Sequence, residues 1–253
     1  MTLGIGSFSR FILEFKMSNY SLISLILPVH NQAEHIVRIV NQYLSFLNSL
    51  KIPFEILIVT NGCSDDSVEK CAALCLENPA IRNIDLTSGG WGLAVIKGIE
   101  AAKGDLICYT NTARTGPHEL ALTILYALAN PGVIIRANRK IRESGLRRFG
   151  SLLFNLECRA LFDLYYWDVN GTPKIFPKDK SKLLGLSRKD DLIDLEFNVI
   201  CQLEQYPVLE VPLFSHRRHG GKSTTRFGSA YRMYLGAFQM WLESRASRRL
   251  EKQ

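Results

Sequence analysis

No stretch of the 253 residues is apolar for the roughly 18 positions a bilayer-spanning helix needs; the longest runs, Leu22–Val29 and Leu120–Leu128, are far shorter. The first residues, MTLGIGSFSRFILEFK, lack a basic leader and a small-residue cleavage site, so they read as an extension ahead of Met17 rather than a secretory signal. The six cysteines, Cys63, Cys71, Cys75, Cys108, Cys158 and Cys201, form no CxxC pair and have no His or Cys partners at metal spacing. That excludes a zinc module and a disulfide scaffold, and reduced, packed cysteines of a cytoplasmic protein are expected. Repeats, low-complexity tracts and long linkers are absent. So are a helix-turn-helix, an RNP motif and a zinc finger, which removes nucleic acid as the expected partner. Negative charge is scarce, with 24 acidic against 31 basic residues and a net charge of +7. Among the stretches without a carboxylate are the one between Asp105 and Glu119 and the one from Val211 to Leu242.

What is present begins with SLISLILPV at Ser21–Val29, an unbroken apolar stretch suited to a strand buried on both faces of a parallel sheet. Helical spacing follows over Asn31–Leu50 through Ile36, Ile39, Val40, Tyr43, Leu44 and Leu47. Strands are expected at Phe54–Val59, Asn83–Leu86 and Asp105–Tyr109, and helices at Ser67–Leu76 and Gly92–Ala102. This alternation argues an α/β domain with a mainly parallel sheet flanked by helices. After residue 115 the rhythm changes. Helices are expected at Glu119–Ala129, Arg142–Leu164 and Glu196–Gln205, with short strands at Gly132–Arg136, Lys174–Phe176 and Val208–Val211. From Phe227 onward, Phe227, Tyr231, Tyr234, Phe238 and Trp241 recur at helical spacing, an amphipathic stripe.

Ligands of open α/β sheets bind beyond the carboxyl ends of the strands. The residues there are Pro28, Val29, His30, Asn31 and Glu34 after the first strand, and Asn61 through Asp65 after the second. Gly90 and Trp91 precede a helix, and Asn111 and Arg114 follow the fourth strand. Asn61 carries a donor and an acceptor suited to the edge of a nucleobase. It is equally suited to a turn with Gly62, and Asn31 to a helix N-cap. Ser64 or Asp65 reads as a helix cap. The glycines around Trp91 do not form a dinucleotide fingerprint, because they do not follow the first strand.

The set LPVHNQAEHI, FEILIVTNGCSDDS and GWGLAVIKGIEAAKGD, with a strand-end turn closing on Pro117, resembles glycosyltransferase family 2, which has the GT-A fold. The second half, with WDVNGTPKIF, DLEFN and VLEVPLFSHRRHGGKS, resembles the branch of dolichol-phosphate mannose synthases and polyprenyl-phosphate glycosyltransferases. The resemblance covers roughly residues 20–215. It implies a nucleoside-diphosphate sugar bound by Pro28, Val29, His30, Asn31, Glu34, Asn61, Asp65, Gly90, Trp91 and Asn111. Trp91 stands where the family usually has Lys or Arg, either covering the nucleotide or packing on the sheet. The implied domain runs over 20–225, with a nucleotide half at 20–117 and an acceptor half at 118–225. An extension at 1–19 precedes it and a basic helix at 226–253 follows it.

The family's metal ligands are an Asp-x-Asp after the fourth strand, and here the matching segment is Thr110-Asn111-Thr112-Ala113. A hard divalent ion wants several charged oxygens. No metal is therefore required by the sequence, Mg or Mn being weakly supported. Either Arg114 stabilises the leaving diphosphate in its place, or the chain binds sugar nucleotide without catalysis. On the acceptor side, Arg136, Arg139, Lys140, Arg142, Arg147 and Arg148 form one basic cluster and His216–Lys222 another. Such runs are either solvated faces or phosphate sites. The resemblance matches Arg139, Arg147, Arg218 and Ser223 to a grip on a lipid phosphate. It also aligns Asp194 and Glu196 with acidic positions near the reacting centre. They would serve as bases for a saccharide acceptor; a phosphate monoester, already ionised with a second pKa near 6, needs none. Asp190 or Asp191 reads equally as a helix cap. The C-terminal helix, rich in Arg and centred on Trp241, either lies on an anionic membrane surface or packs on the core. The expectation is an inverting transferase acting on polyprenyl phosphate or a glycan, cytoplasmic and peripheral to the membrane.

Overall fold

The computed structural model describes residues 20–139, 145–214 and 227–250, with backbone alone at 145–148, 227–230 and 246–250. Seven strands form one sheet: β1 (Ile23–Val29), β2 (Phe54–Asn61), β3 (Ile81–Leu86), β4 (Leu106–Tyr109), β5 (Ile134–Arg139), β6 (Lys174–Pro177) and β7 (Val208–Leu213). The order is β3-β2-β1-β4-β6-β5-β7. All neighbours pair in parallel except β6, which runs antiparallel to both β4 and β5. Each strand expected from the sequence is present, within a few residues of its expected ends.

The helices are α1 (Ile36–Ser49), α2 (Ser67–Glu77), α3 (Trp91–Ala101), α4 (Pro117–Ala129), α5 (Gly145–Phe162), α6 (Ile193–Leu203) and α7 (Phe227–Leu250). A strand's side chains alternate between faces, and β1 uses both. Ile23, Leu25, Leu27 and Val29 pack with Ile39, Tyr43 and Leu47 of α1 and Leu120 and Ile124 of α4. Ile26 faces the other way, with Val95 of α3 and Phe197 of α6. Every residue of β1 is buried, which is why its sequence shows no polar alternation.

A third apolar cluster joins Phe154 and Cys158 of α5 to Leu195 and Val199 of α6 and Ala237 of α7. Tyr234 packs edge-on against Phe154 at 5.6 Å and donates its hydroxyl to the Gly150 carbonyl at 2.6 Å. The aromatic stripe expected on one face of α7 is thus divided between two. Tyr234 turns inward beside Met233, Ala237 and Met240, whereas Tyr231, Leu235, Phe238 and Leu242 stand exposed.

Candidate functional site

The carboxyl ends of β1, β2 and β4 meet the N-terminus of α3. Asn61, buried at the end of β2, donates its side-chain amide to the carbonyls of Val29 (2.9 Å) and Val59 (3.3 Å). Its Oδ1 accepts from the Gly90 amide at 3.1 Å. These bonds hold the backbone of three elements together, so Asn61 shapes the pocket wall. The Asn61 carbonyl meets His30 Nδ1 at 2.7 Å. A carbonyl only accepts, so Nδ1 carries the proton and Nε2 is left as acceptor toward Asn31 Nδ2 at 3.4 Å.

Asn31 has φ +51° and accepts from the Ser64 amide at 2.7 Å, which ties the two strand-end turns together instead of capping α1. Asp65 adds a second tie. Its carboxylate accepts from the amides of Ala33 (3.0 Å) and Ser67 (3.1 Å). Partial burial pushes its pKa up, but these hydrogen bonds and one from the Ser67 hydroxyl win and hold it below the ordinary value. Pro28 and Val29 are the buried end of β1, and Glu34 is exposed on the turn before α1.

Trp91 opens α3 and packs edge-on over Tyr109 at 6.4 Å, and its indole N–H donates to Asp194 at 3.0 Å. Asp194 also accepts from the Tyr109 hydroxyl at 3.0 Å and from the Lys174 ammonium. Lys174 is inaccessible to solvent and donates to the Val169 carbonyl at 3.0 Å. Desolvation lowers its pKa to about 8, against the attraction of Asp194, which raises it. Asp194, with three donors on it, ties α6 to α3, β4 and β6. Glu196 is similarly engaged. It accepts from the amides of Ser187 (3.0 Å) and Arg188 (2.8 Å) and the Ser187 hydroxyl (2.6 Å). The loop it holds lies against α3, where Leu93 N–H donates to the Lys189 carbonyl at 2.9 Å. Gly92 is required there, since a Cβ would sit 2.2 Å from the Arg188 carbonyl oxygen. Asp190 Oδ1 accepts from the Leu192 amide at 3.0 Å in the turn ahead of α6; the N-cap itself is Leu192, with no side-chain cap, so neither Asp190 nor Asp191 caps the helix.

Beside Asp194 lies a second network. Arg136 belongs to it and not to an exposed phosphate site, being fully buried. It donates to Asn198 Oδ1 at 2.7 Å and to the Asp168 carbonyl, and lies over the Tyr166 ring at 4.7 Å. Arg139 makes a two-pronged contact with Asp168, Nε to Oδ2 at 2.7 Å and Nη2 to Oδ1 at 2.9 Å. Burial disfavours its charge, but Asp168 outweighs this and raises its pKa. Glu210 lies 3.7 Å from Arg136. Three cations, Arg136, Arg139 and Lys174, thus face three carboxylates, Asp168, Asp194 and Glu210, largely out of solvent.

Sequence reasoning missed Lys174, Tyr109 and Asp168. The available signal for Lys174 was a lysine inside an otherwise apolar strand-forming segment, PKIFP.

Arg114, Thr115, Glu119, Arg139, Thr172 and Leu213 line a cleft at the carboxyl ends of β4, β5 and β7. The structure therefore brings Arg114 and Arg139 to one place. Arg139 and Leu213, the last residues of β5 and β7, are paired in register. The basic segments beyond them include Arg218 and Ser223, which lie outside the described residues, as does the side chain of Arg147.

The turn after β4 does not fit a divalent ion. Asn111 Oδ1 accepts from the Ala113 amide at 3.0 Å, Thr110 and Thr115 hydroxyls pair at 2.7 Å, and Thr112 donates to Gln32 Oε1 at 2.5 Å. Among the described residues no group of three His, Cys, Asp or Glu side chains is placed to hold a metal. None of the described helices is long and apolar enough to cross a membrane.

Residues 24–112 match the family described as Glycosyl transferase family 2. The undecaprenyl-phosphate 4-deoxy-4-formamido-L-arabinose transferase of Pseudomonas fluorescens (strain Pf0-1) is 28% identical over 140 residues, covering 53% of this chain and 40% of the relative. The enzyme of the same name from Pectobacterium carotovorum subsp. carotovorum (strain PC1) is 28% identical over 142 residues, 54% of this chain and 43% of the relative. The matched region thus spans under half the length of these curated relatives. Among solved structures, glucosyl-3-phosphoglycerate synthase from Mycobacterium tuberculosis, in complex with Mn2+, UDP and phosphoglyceric acid, superposes with TM-score 0.67 at 14% identity, covering 95% of this chain and 83% of that one. That likeness bears on the fold, and it agrees with the GT-A architecture.

Proposed function

From a chain whose residues 24–112 carry a family 2 glycosyltransferase domain, we propose an enzyme that moves a sugar from a nucleoside diphosphate to a polyprenyl phosphate with inversion. The carrying observation is the state of the carboxylates. Asp194 and Glu196, the two base candidates of the acceptor half, each already accept at least three donors from the protein. A saccharide hydroxyl needs a base to take its proton, whereas a phosphate dianion attacks without one. The curated relatives, named as undecaprenyl-phosphate transferases, support the same acceptor class.

The step balances without a proton. A phosphate oxygen of the acceptor bonds to the anomeric carbon from the face opposite the leaving group. The electron pair of the carbon–oxygen bond departs with the nucleoside diphosphate. Two dianions become a phosphodiester monoanion and a diphosphate trianion, so negative charge grows on the leaving group. Arg139, oriented by Asp168, faces the acceptor phosphate, joined in sequence by Arg147, Arg218 and Ser223. The turns at His30–Asn31 and Asn61–Asp65 form the wall for the nucleoside.

The acceptor is a lipid, and two exposed apolar stripes suit an anionic membrane surface: Phe149, Leu152, Leu153 and Leu156 on α5, and Tyr231, Leu235, Phe238 and Leu242 on α7. Charge complementarity supports that partner, since Arg147, Arg148, Arg232, Arg245, Arg248 and Arg249 lie on the same helices.

The test incubates the full chain with radiolabelled UDP-, GDP- and dTDP-sugars and either undecaprenyl phosphate or the unphosphorylated prenol in detergent. Label in the lipid phase only with the phosphate is the expected result. Equal labelling of the unphosphorylated prenol, or nucleotide binding with no transfer from any donor, would overturn the proposal.

A further inference from the structure

We infer that this transfer runs without a divalent ion, Arg114 taking the ion's place at the donor diphosphate; the inference rests on the donor reading above. Family 2 resemblance implies an Asp-x-Asp at the turn after β4, and the similar mycobacterial enzyme is described in complex with Mn2+. In this chain the turn has no carboxylate, and its side-chain oxygens are used inside the protein. Thr110 is paired with Thr115, Thr112 with Gln32, and Asn111 with the Ala113 amide. Mg2+ demands near-octahedral oxygen coordination, anchored by one or two carboxylates plus phosphate. These oxygens are neutral hydroxyls and an amide, oriented by three internal hydrogen bonds of which two are buried, and none supplies the charge that such an ion needs.

Glu119 is the one carboxylate lining the cleft. It sits in the first turn of α4, where the helix dipole favours a negative charge. Its Oε2 lies so close to Gly116 that a Cβ there would meet it at 2.3 Å. A single carboxylate on a helix N-terminus does not make a divalent site.

The turn supplies a cation of its own instead. Arg114 lies in the Asn111–Thr115 turn, where the Arg114 and Thr115 amides donate to the Asn111 carbonyl at 3.0 and 2.9 Å. The Tyr43 hydroxyl holds the end of this turn through the Thr115 carbonyl at 2.6 Å. Its backbone is therefore fixed from below. Arg114 and Arg139 line one small cleft, the Arg139 guanidinium held there by Asp168 and Arg114 lying on the side of the β4 turn. A guanidinium stays charged at every working pH and presents a planar fork matched to phosphate oxygens. A fixed cation at the oxygen where charge develops lowers the barrier without reorganisation.

The experiment measures binding of UDP, GDP, UMP and GMP to the full chain by calorimetry, in EDTA and in millimolar MgCl2 or MnCl2. The inference expects one diphosphate to bind equally in all three media, within about twofold. It also expects Arg114→Ala to weaken that diphosphate about 10-fold or more, as loss of a charge-assisted hydrogen bond does, while leaving the monophosphate unchanged. Arg114→Lys, which keeps the charge, recovers part of the loss, and thermal melts confirm that both variants fold. Diphosphate binding that EDTA abolishes and metal restores would overturn the inference and leave the donor reading standing. Equal affinity of wild type and Arg114→Ala would overturn it too. No nucleotide bound in any medium would overturn the donor reading, and the inference with it.

Discussion

Lys174 and Asp194 form an ion pair that solvent does not reach, with the ammonium between the rings of Tyr109 and Phe197, 5.7 and 5.6 Å from their centroids. The pair joins β6 to α6. Through Trp91 and Tyr109 it reaches α3 and β4, so one carboxylate couples four elements of the fold.

Breaking such a pair leaves a buried charge uncompensated, at about 3–5 kcal/mol. Asp194→Asn is expected to lose stability in that range, measured by urea denaturation. Removing both charges costs less than the two single losses together. Lys174→Met combined with Asp194→Asn should therefore recover a large part of the loss. Strict additivity of the two variants would contradict the coupling.

The same lysine gives stability an unusual pH slope. Its pKa is about 8 in the folded chain and about 10.4 when exposed. Between those values the unfolded chain binds the extra proton, so unfolding free energy rises with pH from this group. Wild type should gain on the Lys174→Met, Asp194→Asn double variant as pH goes from 8 to 10. A constant difference between the two would show that Lys174 is not perturbed.

Asp168 orients Arg139 through two hydrogen bonds. Asp168→Asn keeps the shape and removes the charge. The expected result is a higher KM for polyprenyl phosphate with little change in KM for the sugar nucleotide. Equal effects on both would mean that the substitution acts through general loss of structure.

The exposed stripe on α7 is tested by flotation with phosphatidylglycerol and phosphatidylcholine vesicles. Leu235→Glu with Phe238→Glu should release the chain from the anionic vesicles while its sedimentation in solution stays unchanged. If the substitutions instead dissociate a dimer, the stripe is a contact between copies.

The strands and most helices were legible in the sequence because they obey local rules. β1 reads as a buried parallel strand from its unbroken apolar run, and α1 from the spacing of Ile36, Ile39, Val40, Tyr43 and Leu47. The antiparallel direction of β6 was not legible, since a four-residue apolar strand reads alike in both directions. Side-chain roles were harder still. Asn61 and Asp194 carry the right chemistry to meet a ligand, and only tertiary contacts reveal that protein donors and acceptors already occupy them. Arg136 sits in a run of cations that reads as surface, yet it is sealed beneath Tyr166 by Asn198 and Asp168. Burying a cation requires partners distant in the chain, and composition does not record them. The missing carboxylates after β4, in contrast, were visible at once, because an absence of acid in a short segment needs no fold to interpret.

The central claim is transfer to a phosphate without a protein base. Its most direct test is the pH dependence of sugar transfer to undecaprenyl phosphate from pH 3.5 to 7.5, for wild type and Glu196→Gln. The account predicts one ionisation near 6, that of the acceptor phosphate, at the same position in both proteins. A limb at carboxylate pH, near 4 to 5, that disappears in Glu196→Gln would contradict it and restore a general base to the mechanism.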